Sequence, residues 1–371
     1  MHVLQILSCT GFHGAEAMTA ELSRQLSDQG VRIDIAVLDN AGKGNDDIFA
    51  AVGDKASACH RLPCDRQFDP HTLRALSALI RTRGIDVVHS HSYKTTFYAG
   101  LLKPFHRFKL VSTYHNWLTH TRALQAYAWI DKKLARFNDA SVGVSTPVVT
   151  ELQRHVRASE VFQVDNGIDV GRFVPAPDRR AARAQLGLMH AEGPLLGFVG
   201  RLSPEKGLHH LLEALAHADL AHVHLVIAGD GPERPALEQQ IATLGLGARV
   251  HLLGYRRDTL GLYQALDAFV LPSLIEAFPM VLLEAMACGL PVIASAVGEV
   301  PRILDHGRFG WVTQPGNPHD LAQAIGQALP PTSPALPPAP RERVVGEYSS
   351  QAMAQRYLAI YQRCLNTESP A

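Results

Sequence analysis

The chain has 371 residues, 46% of them apolar, enough for two domains of ordinary size with packed cores. Lys plus Arg equals Asp plus Glu at 35 each, so the overall charge gives no grounds for nucleic-acid binding. Five cysteines, an odd number scattered along the chain, exclude a disulfide framework and fit a reducing compartment.

The opening MHVLQILSCTG has no Lys/Arg-rich start and too short an apolar run for a signal peptide. It reads as the first of a series of short β-rich strands, at 3–7, 31–38, 87–91, 109–115, 141–145 and 161–164. Helical patterns fill most of the gaps, for example at 15–29 and 71–83. Cys59, His60 and Cys64 fall in one gap. Their spacing fits no zinc pattern and there is no second half-site, so an ordinary loop is expected. After a polar stretch from Gly171 to Arg180, a second series follows. Its strands are expected at 195–199, 224–228, 250–253, 268–271, 291–294 and 310–312, with helices at 207–218, 232–244, 259–266 and 279–288. The Pro-rich residues 330–340 read as an extended surface loop. Residues 350–366 read as an amphipathic helix with Met353, Tyr357, Ile360 and Tyr361 on one side.

Continuous Val/Ile/Leu strands separated by helices mean parallel sheets covered on both faces. The expected fold is α/β, with two doubly wound, Rossmann-like domains, 1–170 and 171–349, facing a central cleft. Ligands then bind at the carboxyl ends of the strands. The one apolar run near membrane length, 279–297, is broken by Glu284 and by Gly289-Leu290-Pro291, so no spanning segment is expected and the protein reads as cytoplasmic.

Charged residues at those strand ends are the candidates for chemistry. Arg201 and Lys206 flank a turn after 195–199. A rigid fork of donors beside a point charge suits a diphosphate, though solvated loop charges explain them equally. Glu276 and Glu284 lie eight positions apart in a segment otherwise built for burial. A buried carboxylate needs partners. Either Glu284 bonds to amides or an Arg with Glu276 merely exposed, or both accept hydrogen bonds from sugar hydroxyls. The turn Gly11-Phe-His-Gly14 before a helix favours an anion but lacks the dinucleotide fingerprint. Two further strands end in histidine, at His89 and His91 and at His115. Residues 94–136, bounded by Lys94 and Arg136, hold eight Lys/Arg, one acid and several aromatics, as a membrane-surface patch or a solvated helix pair would. No recognition motif for nucleic acid accompanies them.

Together these pieces resemble a family 4 glycosyltransferase of the GT-B fold. The resemblance rests on Gly200-Arg-Leu-Ser-Pro-Glu-Lys-Gly207, on Ala228-Gly-Asp-Gly-Pro232 and above all on Glu276-Ala-Phe-Pro-Met-Val-Leu-Leu-Glu284, which is similar to the family's E-x7-E signature. It implies a retaining transfer from a UDP- or GDP-linked sugar to a glycan or lipid-linked acceptor in cell-surface polysaccharide or lipopolysaccharide synthesis. No cofactor and no metal are implied. Arg201 and Lys206 would hold the diphosphate, Glu284 the ribose and Glu276 the hydroxyls of the transferred sugar. The backbone N–H groups of Met280 and Val281 would bind phosphate, Tyr255 would border the base, and Gly14 would let the backbone approach the phosphates. His115 resembles the family's active-site histidine, with His91 on the acceptor side. The C-terminal helix 350–366 would pack back onto the first domain, and peripheral membrane contact would run through 94–136. Pro279 and Arg302 depart from the common pattern, where glycine and an acid are more usual. The alternatives are a nucleotide-sugar epimerase of the same architecture and a non-catalytic nucleotide-sugar-binding protein.

Overall fold

The computed structural model describes residues 1–8, 14–39, 46–66, 68–115, 129, 132–157, 160–189, 193–330 and 340–367. The chain divides into two compact units, Met1–Gly167 with Ser350–Ala371, and Ile168–Ser349.

The first unit is built on seven strands: β1 (His2–Leu7), β2 (Arg32–Asp39), β3 (Ala58–Pro63), β4 (Val87–Ser90), β5 (Lys109–Tyr114), β6 (Ala140–Gly143) and β7 (Val161–Gln163). All pair in parallel, in the order β3-β2-β1-β4-β5-β6-β7. Alternate residues of a strand face opposite sides. Leu4, Ile6, Val88 and Leu110 enter an apolar cluster with Leu76, Ile80, Tyr98 and Phe108. The other face carries polar side chains: Gln5, His89 and Thr113 are buried there. Helix Ser350–Asn366 belongs to this unit and buries Met353, Tyr357, Ile360 and Tyr361.

Strand β3 corrects the expectation of a loop around Cys59, His60 and Cys64. Cys59 and His60 lie in β3, and Cys64 follows it. Among the described residues only β2 pairs with β3, and most of its residues are half-buried or exposed. An edge strand with so little to bury lacks the apolar run that reveals a central strand. His60 Nε2 lies 3.1 Å from Asp34 Oδ2 and Arg83 binds the same carboxylate, so the histidine is tied into an ion-pair network.

The second unit has six parallel strands: β8 (Leu195–Val199), β9 (His224–Ala228), β10 (Val250–Gly254), β11 (Ala268–Leu271), β12 (Val292–Ser295) and β13 (Trp311–Thr313). Their order is β10-β9-β8-β11-β12-β13, so β8 has β9 on one side and β11 on the other. The connections run outward in both directions from that pair, which opens a crevice at its carboxyl end.

One further expectation needs adjusting. Pro340 is the first residue of helix Pro340–Glu347 rather than the end of a loop, a position its fixed φ and missing N–H suit. The rest of the Pro-rich run, 331–339, lies outside the described residues. Among the described residues, no helix is long and apolar enough to cross a membrane.

Candidate active site

Loops leaving β8, β9 and β11 lie against one another in the second unit. Gly200 N donates to Ala228 O at 3.0 Å, Leu202 N to Asp230 O at 3.0 Å and Leu274 N to Glu205 O at 2.8 Å. Two glycines permit this close approach. A Cβ on Gly229 would stand 1.8 Å from Gly200 O, and one on Gly298 would stand 2.3 Å from Glu276 O. Gly298 also has φ +54°, where other residues are strained. The platform brings Glu276 to the crevice of β8 and β11 beside Lys206, seventy residues away in sequence, with Arg201 on the same loop as Lys206.

Lys206 Nζ donates to Glu276 Oε1 at 2.6 Å, and Ser273 Oγ donates to the same oxygen at 2.8 Å. The side chains are 20% and 11% exposed, so the pair is sheltered from screening but still open to a ligand. Glu276 therefore has a cationic partner, supplied from seventy residues earlier rather than from its own segment. Arg201 is exposed and makes no ion pair among the described residues.

Helix Met280–Ala287 begins just beyond Glu276. Pro279 occupies its N-cap, so Met280 and Val281 are its first two residues, whose N–H groups have no acceptor within the helix. Glu284 sits on the second turn. Its Oε2 accepts a 2.8 Å hydrogen bond from Tyr263 Oη, and Tyr263 is fully buried. Burial raises the Glu284 carboxyl above its ordinary range, and the Tyr263 hydrogen bond offsets part of that. The partner is thus a phenol rather than an amide or arginine. At the other end of the helix, Arg341 donates to Ala287 O, and to Phe173 O at 2.6 Å and Val170 O at 2.9 Å. A cation there complements the helix's negative end.

Two family models match the chain: Glycosyltransferase Family 4 over residues 12–172 and Glycosyl transferases group 1 over residues 179–333. The chain belongs to the family 4, group 1 glycosyltransferases. This glycosyltransferase is 32% identical over 259 residues to an uncharacterized glycosyltransferase of Methanocaldococcus jannaschii, the match spanning 66% of each chain, just under two thirds. It is 29% identical over 349 residues to the alpha-maltose-1-phosphate synthase of Mycolicibacterium smegmatis, covering 82% of this chain and 89% of that one. Among solved structures, Anabaena HepE in complex with UDP-glucose superposes with a TM-score of 0.79 at 25% identity, covering 99% of both chains. With UDP and glucose the TM-score is 0.85 at 24% identity, covering 98% of this chain and all of that one. The fold is GT-B, with two Rossmann-like units.

The candidate histidines of the glycosyltransferase lie in the first unit. His91 follows β4 and His115 follows β5, and their rings stack with centres 5.9 Å apart. Burial lowers all three nearby imidazoles: His89 to about 3, His115 to about 4 and His91 well below its usual value. They are neutral at physiological pH. Among the described residues, His91 Nδ1 and His115 Nε2 are buried without hydrogen-bond partners.

The remaining expected site residues are scattered. Gly14 is the first residue of helix Gly14–Asp28, and residues 9–13, where a turn is expected, lie outside the described residues. Tyr255 follows β10 and is 56% exposed, free to lie against a ring. The basic stretch 94–136 is less of a surface patch than its composition suggests. Lys94, Tyr98 and Phe108 are buried. Lys103 bonds to Asp139 at 2.6 Å and Lys132 to Glu151 at 2.7 Å. Phe105 and Trp129 are exposed, whereas Trp117 and Tyr127 fall outside the described residues. Helical packing and acids from beyond the stretch decide this, and a count within the stretch sees neither. Sequence reasoning missed Tyr263, Ser273 and Arg341. A tyrosine in an apolar helix facing a glutamate helix was the only available signal.

Proposed function

We propose that this glycosyltransferase takes its sugar from a nucleotide-sugar donor held by the second unit and transfers it, with retention, to a glycan or lipid-linked acceptor of the cell surface. The observation that carries the reading is the Lys206–Glu276 pair at the crevice of β8 and β11, with Arg201 exposed on the loop that leaves β8. Arg201 and Lys206 bind the diphosphate and stabilise the charge that grows on it as the glycosidic bond breaks. The first N–H groups of helix Met280–Ala287 add to that field, so the leaving group needs no metal. Glu276 receives hydroxyls of the transferred sugar. The Lys206–Glu276 pair must open its geometry to admit the donor, with the ammonium turning to phosphate as sugar hydroxyls replace it on the carboxylate. Glu284, held by Tyr263, accepts from the ribose, and Tyr255 borders the base. On the first unit Gly14 allows backbone approach to phosphate, His115 serves the reacting sugar and His91 the acceptor. UDP is the favoured diphosphate, because structures of the similar HepE hold UDP and UDP-glucose.

The test is a thermal-stability screen with UDP, GDP, ADP and their sugars, since a ligand that binds only the folded state raises its stability. One nucleotide-sugar should stabilise wild type and be turned over in the presence of chelator. Glu276→Ala should abolish transfer, and an active Glu276→Ala enzyme sinks the assignment. Release of nucleotide with an epimerised sugar and no acceptor present would favour an epimerase instead.

The enzyme works in the cytoplasm, and exposed Phe105 and Trp129 with neighbouring cations give it peripheral contact with an anionic membrane. Co-sedimentation with anionic liposomes at low salt, released at high salt, is the expected result. Absence of binding at low salt removes the membrane from the proposal.

A further inference from the structure

One face of the seven-stranded sheet holds a buried hydrogen-bond chain that no role above uses. Gln5 on β1 pairs in register with His89 on β4, and Thr113 on β5 shares their face. Continuing β4 and β5 at the same alternation brings His91 and His115 to that face at the carboxyl ends. Helix Ser350–Asn366 supplies Tyr357 and Tyr361. Tyr361 Oη lies 2.7 Å from His89 Nδ1, His89 Nε2 lies 2.7 Å from Thr113 Oγ1, and Thr113 Oγ1 lies 2.9 Å from Tyr357 Oη.

The chain has a direction where it reaches His91. Gln5 Nε2 donates to Tyr361 Oη at 3.5 Å, which turns the amide so that its carbonyl oxygen faces His91 Nε2 at 2.7 Å. A carbonyl oxygen only accepts, so Nε2 of His91 carries the ring proton. The neutral ring then has a bare lone pair at Nδ1, and that is the atom left buried and without a partner. Buried polar groups are nearly always satisfied, and each exception asks for a reason. Here the exceptions, His91 Nδ1 and His115 Nε2, stand at the carboxyl ends of two adjacent strands, while His89 and the deeper groups are bonded. Parallel sheets take ligands at that end.

We infer that Gln5 and Tyr361 are positioning residues that fix His91 as a hydrogen-bond acceptor, with Nδ1 held ready for a hydroxyl of the carbohydrate ligand. The inference rests on the reading of His91 as an acceptor-side group and adds which nitrogen acts, in which direction, and what sets it. A residue of the last helix thereby governs one after β4, through the first strand. His91 is 7% exposed and so fixed that it presents one atom in one protonation state, as orientation of a reacting hydroxyl requires.

The experiment is nitrogen NMR on histidine-labelled whole protein, read beside transfer kinetics. Wild type should show His91 protonated at Nε2 with a pyridine-like Nδ1. Tyr361→Phe, which keeps the ring, and Gln5→Met, which keeps the volume, should mix the two tautomers. Each should lower kcat for transfer roughly tenfold while donor KM and stabilisation by nucleotide stay put, a split that general loosening would not produce. A wild-type His91 protonated at Nδ1 overturns the inference even if neither variant folds. So does a Gln5→Met enzyme with unchanged kcat. The two possible failures separate. A wild-type protein that turns over no nucleotide-sugar overturns the functional reading, and the His91 tautomer is read without any turnover.

Discussion

The two sheets share a topology and differ in what they place at their carboxyl ends. Both set their first strand beside their fourth, β1 by β4 and β8 by β11. At β8 and β11 the ends carry fixed charge: Arg201, Lys206, Glu276 and, one helix on, Glu284. At β4 and β5 the ends carry imidazoles that burial keeps neutral, backed by phenols and hydroxyls. One fold thus supplies two chemistries. A charged end suits a diphosphate whose charge grows during the reaction. A neutral end suits the orientation of hydroxyls, where a full charge would only demand a counter-ion.

The contrast is tested hardest by removing charge from the second unit. Arg201→Ala should cut the transfer rate roughly a hundredfold or more if the guanidinium meets charge that develops in the transition state. Because Arg201 is exposed, the thermal midpoint of the ligand-free enzyme should stay where it is. Steady-state rates beside a melting curve check both. A loss confined to KM would mean that the arginine binds the donor equally in ground and transition states, and the contrast would lose its catalytic meaning.

Tyr263→Phe probes a smaller effect in the same unit. It deletes the hydroxyl that holds Glu284 and leaves the carboxylate buried with less support. Hydrogen bonds to charged groups contribute about 1.5–3 kcal/mol, so donor KM should rise by roughly tenfold to a hundredfold, with kcat little changed. An unchanged KM would mean that Glu284 does not meet the donor.

Acid probes the neutral end. The His89 pKa is near 3 in the folded protein and about 6.5 unfolded, so the unfolded chain takes up a proton that the folded one refuses. The stability contributed by neutral His89 is therefore present above about pH 6.5 and is lost as pH falls from there toward about 3. The slope is about 1.4 kcal/mol per pH unit for each such group, and His115 behaves alike down to about 4. Hydrogen exchange followed from pH 7 to 5 should show β4, β5 and helix Ser350–Asn366 opening before β8 and β11. Simultaneous opening would remove the electrostatic distinction between the units.

Much of the fold was legible from the chain alone. Strands β8, β9 and β11 occupy the residues at which continuous Val/Ile/Leu runs stop at Gly or Pro, because a strand buried on both faces has no choice but to be apolar. β3 was not legible, because an edge strand with polar residues has no such constraint. At the site, the positions of Arg201, Lys206, Glu276 and Glu284 at strand ends or on the following helix were readable from spacing. Their partners were not. The sequence presents Lys206 and Glu276 as separate ligands of a donor, and the structure has them hold each other.

The sequence by itself determined the alternation of strands and helices, the glycines of the loops and the burial of the segment around Glu284. These follow from local steric preference and from the period of apolar residues, which each segment carries within itself. Only the tertiary structure decided that Tyr263 supports Glu284, that Lys206 faces Glu276 and that Gln5 links Tyr361 to His91. Such pairings depend on strand register and on helices returning from the far end of the chain. A hydrogen bond is decided by a few tenths of an ångström between groups that the sequence holds dozens or hundreds of residues apart.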